Sequence, residues 1–149
     1  MTKIQWNKEL SVDVIAIDNQ HKQLIDIANT LLEAVDQGAD RAATDKAIKK
    51  LREYTVSHFN SEEALMAEVR YPDRGHHQAE HRKLKEEVKQ FQRELYEKRT
   101  PAASTVLSFL KSWLLGHILT YDRKLARFIH DQKAKNTTET VVSIGKDTE

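Results

Sequence analysis

Two histidines at the head of an apolar stripe constrain this 149-residue chain more than any other feature. His77, His81, Leu84, Val88, Phe91 and Leu95 follow one another at spacings of 4, 3, 4, 3 and 4, the period of one face of an α-helix. Two imidazoles one turn apart therefore share an inward face with four apolar side chains. Buried imidazoles need partners, and the commonest partner for two of them at i, i+4 on one helix face is a metal ion. Taken alone, the pair fits equally well with partly exposed histidines hydrogen-bonded to neighbours. The rest of the chain decides between these.

The same period recurs three times. His21, Leu24, Ala28, Leu31 and Val35 predict a helix over about 19–37, with Asp18 as its N-cap and Gly38 as its left-handed stop. Ahead of it, Trp6, Leu10, Val12, Val14, Ile15 and Ile17 lack helical period and predict an extended arm lying over something apolar. Asp40 suits the N-cap of a second helix with the stripe Ala47, Leu51, Tyr54, His58, Glu62, Leu65 and Val69. Tyr71-Pro72-Asp73 ends it, because proline disfavours helix at the residue before it. The third helix runs to about Lys98. Thr100-Pro101 then reads as N-cap and first residue of a fourth, where proline costs least. The inner face of this helix carries Val106, Leu110, Trp113, Leu114, His117, Ile118, Tyr121, Leu125 and Phe128.

With 4 glycines and 2 prolines in the whole chain, composition agrees with an all-α fold. Short connections make neighbouring helices antiparallel. The expected architecture is an up-down-up-down four-helix bundle with an N-terminal extended arm, over residues 1–133. Residues 134–149 are polar and aperiodic and are expected to form a disordered tail, in which Val141-Val142-Ser143-Ile144 can dock weakly. No internal repeat or low-complexity tract is present.

Composition also removes whole classes of function. Without cysteine there are no disulfides, thiolate-bound zinc, iron–sulfur clusters or thiol nucleophiles, so any metal must be held by nitrogen and oxygen. Acids and bases interleave to a formal net charge of +1, which offers no basic stripe for nucleic acid and no polybasic membrane anchor. No apolar run is long enough to span a bilayer, and the N-terminus lacks a secretory core. A cytoplasmic monomer is the expectation.

Each of the four stripes carries metal-competent residues. His21 lies on the first, His58 and Glu62 at i, i+4 on the second, His77 and His81 on the third, His117 and Asp122 on the fourth. Burying one such group uncompensated costs ~2–7 kcal/mol, against a net stability of ~5–15 kcal/mol for a whole fold. One metal centre satisfies all seven together. Seven donors exceed what a single ion takes from protein, so two ions are implied. A carboxylate can bridge two metals through its two oxygens and a neutral imidazole binds one. Glu62 and Asp122 are therefore the bridges and the five histidines terminal ligands. Imidazole and carboxylate without sulfur suit iron, manganese or zinc.

In order, His21, His58-Phe59-x-x-Glu62, His77-x-x-x-His81 and Trp113-Leu114-x-x-His117-Ile118-x-Thr120-x-Asp122 resemble the hemerythrin family, in particular its bacteriohemerythrins. The resemblance runs from about Trp6 to about Asp131, with support from Asp18-x-Gln20-His21-Lys22, Glu63, Met66 and Tyr71-Pro72. Single motifs of this kind arise by chance; all of them in order are specific. The resemblance implies two non-haem irons with a bridging oxo or hydroxo group, and reversible O2 binding for storage, delivery or sensing, not catalysis. It assigns His77, His81 and His117 to one iron and His21 and His58 to the other. Glu62 and Asp122 bridge both, and one coordination position is open, where O2 is held as hydroperoxide. Trp113 and Leu114 match the residues over the O2 pocket, although both also read as ordinary core; Ile25 and Phe59 read as packing. No Glu-x-x-His pair of the carboxylate-rich di-iron oxygenases occurs. Competing readings are a di-iron redox enzyme acting on peroxide or nitric oxide, iron storage or repair of iron centres, and a bundle with incidental histidines.

Four further residues or pairs carry expectations. His117 and Asp122 are five apart, which an ideal helix separates by about 140°, so a π-type distortion is expected between them. Tyr54 and Tyr121 sit one turn from His58 and His117, either as supports of those histidines or as core. Gly116, mid-helix beside His117, allows either close helix approach or entry of O2. His76 and His130 fall off the stripes and are expected in solvent.

Overall fold

The computed structural model describes residues 3–97 and 102–147, with side chains to residue 135. Four helical rods account for nearly all of it. They are α1 (Ile15–Asp36), α2 (Arg41–Glu68), α3 (Arg74–Glu97) and a fourth rod, α4, that starts at Ala103. The last runs as α-helix over Ala103–Leu110, as π-helix over Lys111–Leu115 and Ile118–Asp122, and again as α-helix over Arg123–Asp147. The expected tail from residue 134 falls on the end of this rod, and the Thr100-Pro101 cap lies outside the described residues. Short turns make consecutive rods antiparallel. α1 packs on α2, α2 on α3, and α4 closes the ring against α1. α3 meets α4 through stacked Phe91 and Phe109 and a Trp113 Nε1–H bond to Leu84 O. The result is an all-helical four-helix bundle. No described helix is long and apolar enough to cross a membrane.

The turns follow the local chemistry. Gly38 takes φ +66° after α1, and its N–H and that of Ala39 close on Val35 O and Ala34 O, the left-handed helix stop that glycine favours. Asp40 caps α2 by accepting from Ala43 N. Asp18 departs from expectation. α1 begins at Ile15 with Val14 as its N-cap, and the Asp18 carboxylate turns backward to accept from Val12 N (2.9 Å) and Ser11 Oγ (2.6 Å). A carboxylate one turn inside a helix can serve donors that precede it, and here it ties down the arm. The arm is irregular, with a 3-10 turn at Lys8–Leu10 and a bend at Asp13, whose φ is +57°. It buries Ile4, Leu10 and Val12 and is held by paired amide bonds between Ile4 and Asn29. Ile15, expected in the arm, opens α1 and is 79% exposed.

The buried face of α2 is rotated from the expected stripe. Ile48, Thr55, Phe59 and Met66 join Ala47, Leu51, His58 and Glu62 inside, whereas Tyr54, Leu65 and Val69 are half-buried. The apolar core is in two blocks. One contains Leu24, Ile25, Phe59, Leu84, Trp113, Leu114 and Ile118, the other Ile17, Met66, Tyr71, Leu125 and Ile129. Between them, at one level of every rod, lies a polar layer.

Candidate metal centre

All seven side chains singled out in the four stripes meet in that layer. His21, His58, Glu62, His77, His81, His117 and Asp122 are each at most 4% exposed. Their order around the layer is set by the two carboxylates. Glu62 Oε1 lies 3.0 Å from His81 Nε2, 3.4 Å from His77 Nε2 and 3.7 Å from His117 Nε2. Asp122 Oδ1 joins this side, 3.0 Å from His117 Nε2 and 3.2 Å from His77 Nε2. The second oxygens face the other way. Asp122 Oδ2 is 2.7 Å from His21 Nε2, and Glu62 Oε2 is 3.4 Å from His58 Nε2 and 3.8 Å from His21 Nε2. Two donor groups result, one of Glu62, His77, His81, His117 and Asp122, the other of His21, His58, Glu62 and Asp122, with ligand atoms in each within 4.8 Å of one another. Both carboxylates belong to both groups.

This arrangement needs cations. Eleven buried nitrogen and oxygen atoms of these seven residues have no hydrogen-bond partner, including Nε2 of His21, His58, His77 and His117 and both oxygens of Asp122. A single orphan of this kind costs ~1–3 kcal/mol. Convergent lone pairs on imidazole nitrogen and carboxylate oxygen are the donor set that a divalent transition metal takes. The residues present therefore fit a pair of metal ions.

Local helix geometry makes the last contact possible. A π-turn closes i to i+5, and one spans Ile118–Asp122, the expected distortion. It carries Asp122 round to the face of His117, so their side chains meet at 3.0 Å. The second π segment, Lys111–Leu115, has no forerunner in the sequence pattern. It carries Trp113 and Leu114, both 4% exposed. Trp113 spends its only N–H on Leu84 O at 3.0 Å, so the rest of its ring presents carbon to its surroundings.

Around the layer sit residues whose roles the stripes did not show. Gln20 Oε1 lies 2.6 Å from His58 Nδ1, and Gln20 Nε2 donates to Ser61 Oγ at 3.1 Å. Holding the proton on Nδ1 leaves Nε2 of His58 free as a donor to metal. Glu63 Oε2 is 3.9 Å from His81 Nδ1. Phe59 does more than fill space, since it stacks on His81 with centroids 3.9 Å apart and tilts against His58 and His117. Tyr121 stacks on His117 and leans on His77, both at 5.7 Å, whereas Tyr54 packs against the apolar core. Tyr71 sets its ring edge-on to His77. His76 and His130 are exposed. A Cβ at Gly116 would meet nothing within 4 Å, which removes close helix approach as its reason.

Without cations, Glu62, Asp122, His58, His77, His81 and His117 share protons unevenly. Burial and the neighbouring Asp122 push the Glu62 carboxyl up, but the close imidazoles of His117, His77 and His81 prevail and hold it at about 2. Asp122 is likewise held well below the usual range, burial being outweighed by the charge of His117 and by the close imidazoles of His117, His21 and His77. Burial drives His58 down to about 4 and also lowers His81. His117 goes the other way, up to about 10, because Asp122 and Glu62 overcome its burial; His77 is raised by the same two carboxylates. The site keeps its anions and borrows protons to balance them, a place that divalent cations can take over.

Known proteins resemble this chain in sequence and fold. The family model "Hemerythrin HHE cation binding domain" matches residues 12–129, a span that contains all seven donors. A bacteriohemerythrin of Pseudomonas paraeruginosa is 31% identical over 122 residues, covering 82% of this chain and 78% of the relative. The bacteriohemerythrin of Methylococcus capsulatus is 31% identical over 124 residues, covering 83% and 94%. A crystal structure of wild-type hemerythrin aligns with a TM-score of 0.75 at 29% identity, covering 85% of this chain and 97% of that one. Four rods, a seven-donor layer shared by two carboxylates, and a match over most of the chain lead to one conclusion: this protein belongs to the hemerythrin family.

Proposed function

We propose that the chain binds O2 reversibly at two non-haem irons, for storage, delivery or sensing, and does not turn over a substrate. The observation that supports this best is the three-to-two division of histidines about two shared carboxylates. His77, His81 and His117 would hold one iron and His21 and His58 the other, with Glu62 and Asp122 common to both and an oxo or hydroxo bridge completing the pair. The irons supply the electrons and the affinity for O2 that no side chain here possesses. Everything else is the work of the chain. The side with two histidines has one protein donor fewer, and an iron held there would be the one to take O2.

Carriage in place of catalysis follows from the donor set and its surroundings. Five neutral imidazoles and two carboxylates offset less of the iron charge than a carboxylate-rich site does, and so favour high-valent iron less. The apolar blocks above and below the layer exclude water, which slows proton-assisted loss of a bound oxygen species. We assign Trp113 and Leu114 to the wall of the O2 pocket. Trp113, its N–H already bonded to Leu84 O, adds shape and dryness without a competing donor.

Iron content per chain, combined with the absorption spectrum of the reduced protein before and after air, tests the proposal. Two irons and a colour that disappears again when O2 is removed are expected. Fewer than two irons, or a colour change that cannot be reversed, would refute it.

A further inference from the structure

Between α3 and α4 a groove of about 570 Å³ runs down to the polar layer. Glu80, Glu87 and the Lys83 that pairs with Glu87 line it from α3, Ser112, Gly116 and Thr120 from α4, and its wall also includes Trp113 and His117. Three features set it apart. Glu80 is half-buried and has no ion-pair partner among the described residues, whereas Glu87 has Lys83 at 4.0 Å. His117, only 4% exposed, has an unpartnered Nδ1 as well as its inward Nε2. Gly116 is exposed in mid-helix where a Cβ would touch nothing, so packing does not explain a residue that is among the weakest helix formers.

We infer that this groove is the port through which a hydrated divalent cation reaches the seven-donor layer, with Glu80 as its first docking point and Gly116 as the aperture. The inference rests on the di-metal reading above. Its chemistry is that of an aqua ion: a free carboxylate attracts the charge, and the hydroxyls of Ser112 and Thr120 accept hydrogen bonds from its water shell. Six waters at ~30 Å³ each occupy roughly 180 Å³, which the groove accommodates. Past Gly116 the ion meets His117, the layer residue on the groove wall, and exchanges water for imidazole and carboxylate. Any side chain at position 116 extends into this passage, since no neighbour stops it.

The test follows metal traffic and not O2 binding. Full-length protein is stripped with chelator, and Co2+ uptake by stopped flow and Co2+ release to excess EDTA are measured at one pH. Gly116→Leu is expected to slow uptake and release by the same factor, about tenfold, as a barrier of ~1.4 kcal/mol gives. Ions per chain and equilibrium affinity stay unchanged, because a port lies on the path and not at its end. Gly116→Ala gives a smaller effect of the same sign, and keeps the test open if leucine disturbs the fold. Glu80→Gln slows uptake and weakens its dependence on ionic strength. Two ions per chain at unchanged rates in these variants overturn the port alone, as does a changed affinity without matched rates. A wild-type chain that takes up no divalent ion overturns the port and the di-metal reading together.

Discussion

Replacing Glu62 by glutamine keeps the shape of the side chain and removes the one group that reaches all five histidines. Its Oε1 lies 3.0–3.7 Å from Nε2 of His81, His77 and His117, and its Oε2 lies 3.4–3.8 Å from Nε2 of His58 and His21. The amide offers one oxygen and one N–H2, and the latter cannot bind a cation, so a bridge becomes a ligand to a single ion. Iron is expected to fall from two per chain to at most one, and the absorption of a coupled pair to vanish. Stability of the metal-free protein gives a second number. The carboxyl sits at about 2 where 4.5 is ordinary, so its surroundings favour the anion by ~3 kcal/mol. Because this value is depressed, the stabilisation is complete above pH ~4.5 and is lost as pH falls through ~2. At neutral pH, Glu62→Gln forfeits it and leaves the protonated His117 with Asp122 alone. For a chain of this length ~3 kcal/mol lowers Tm by ~6–12 °C. Metal analysis, absorption and calorimetry of stripped protein supply the readouts. Retention of both irons with the colour intact would refute the bridging role, and an unchanged Tm of the stripped protein would refute the electrostatic account.

Other outcomes follow from the same layer. Gln20→Ala removes the partner of His58 Nδ1, which lies at 2.6 Å, and is expected to weaken one of the two metal affinities ~10–100-fold; two unaltered affinities in a metal titration would contradict that. His117, at about 10, carries a proton at neutral pH in the stripped protein, and the same two carboxylates shift His77 in the same direction. The contribution of His117 to its stability is therefore full below ~6.5 and lost as pH rises through ~10. Divalent metal needs these imidazoles neutral, so loading in weak buffer releases protons; uptake with no proton release and no pH dependence would oppose this. His58, lowered to about 4 by burial, stays neutral in the fold, so between pH ~6.5 and ~4 acid favours the unfolded chain and melting curves of stripped protein shift downward across that window. Leu114→Ala leaves a cavity costing ~2–5 kcal/mol and admits water near the layer, so oxidation of the loaded protein to its inactive ferric form accelerates; an unchanged rate would remove Leu114 from the pocket wall.

Much of the layer was legible because helical period is local. A residue's place on a stripe depends only on its neighbours four or so positions away. Seven polar residues at stripe positions on four amphipathic segments had no inexpensive home except a common one. The π-turn was legible for the same reason, since Asp122 stands five residues after His117 on a stripe that otherwise steps by three and four. Asp18 shows where that logic stops. It looks like a cap by residue type, yet its acceptors are used by Ser11 and Val12, a choice made by how the arm folds back and invisible to any local rule. The rotated face of α2 has a similar cause, because packing against both α1 and α3 turned Phe59 and Met66 inward and Leu65 and Val69 toward the rim.

From the sequence by itself came the helices, their inward faces, the seven residues of the layer and the carboxylate identity of the two that both donor groups share. Only the tertiary structure decided which oxygen faces which imidazole, that Gln20 holds His58, that Phe59 and Tyr121 lie against cluster rings, and that Gly116 opens a groove down to His117. The physical reason is that such contacts depend on the relative rise and rotation of separate rods, set jointly by packing across the whole core, and no short stretch of chain carries that information.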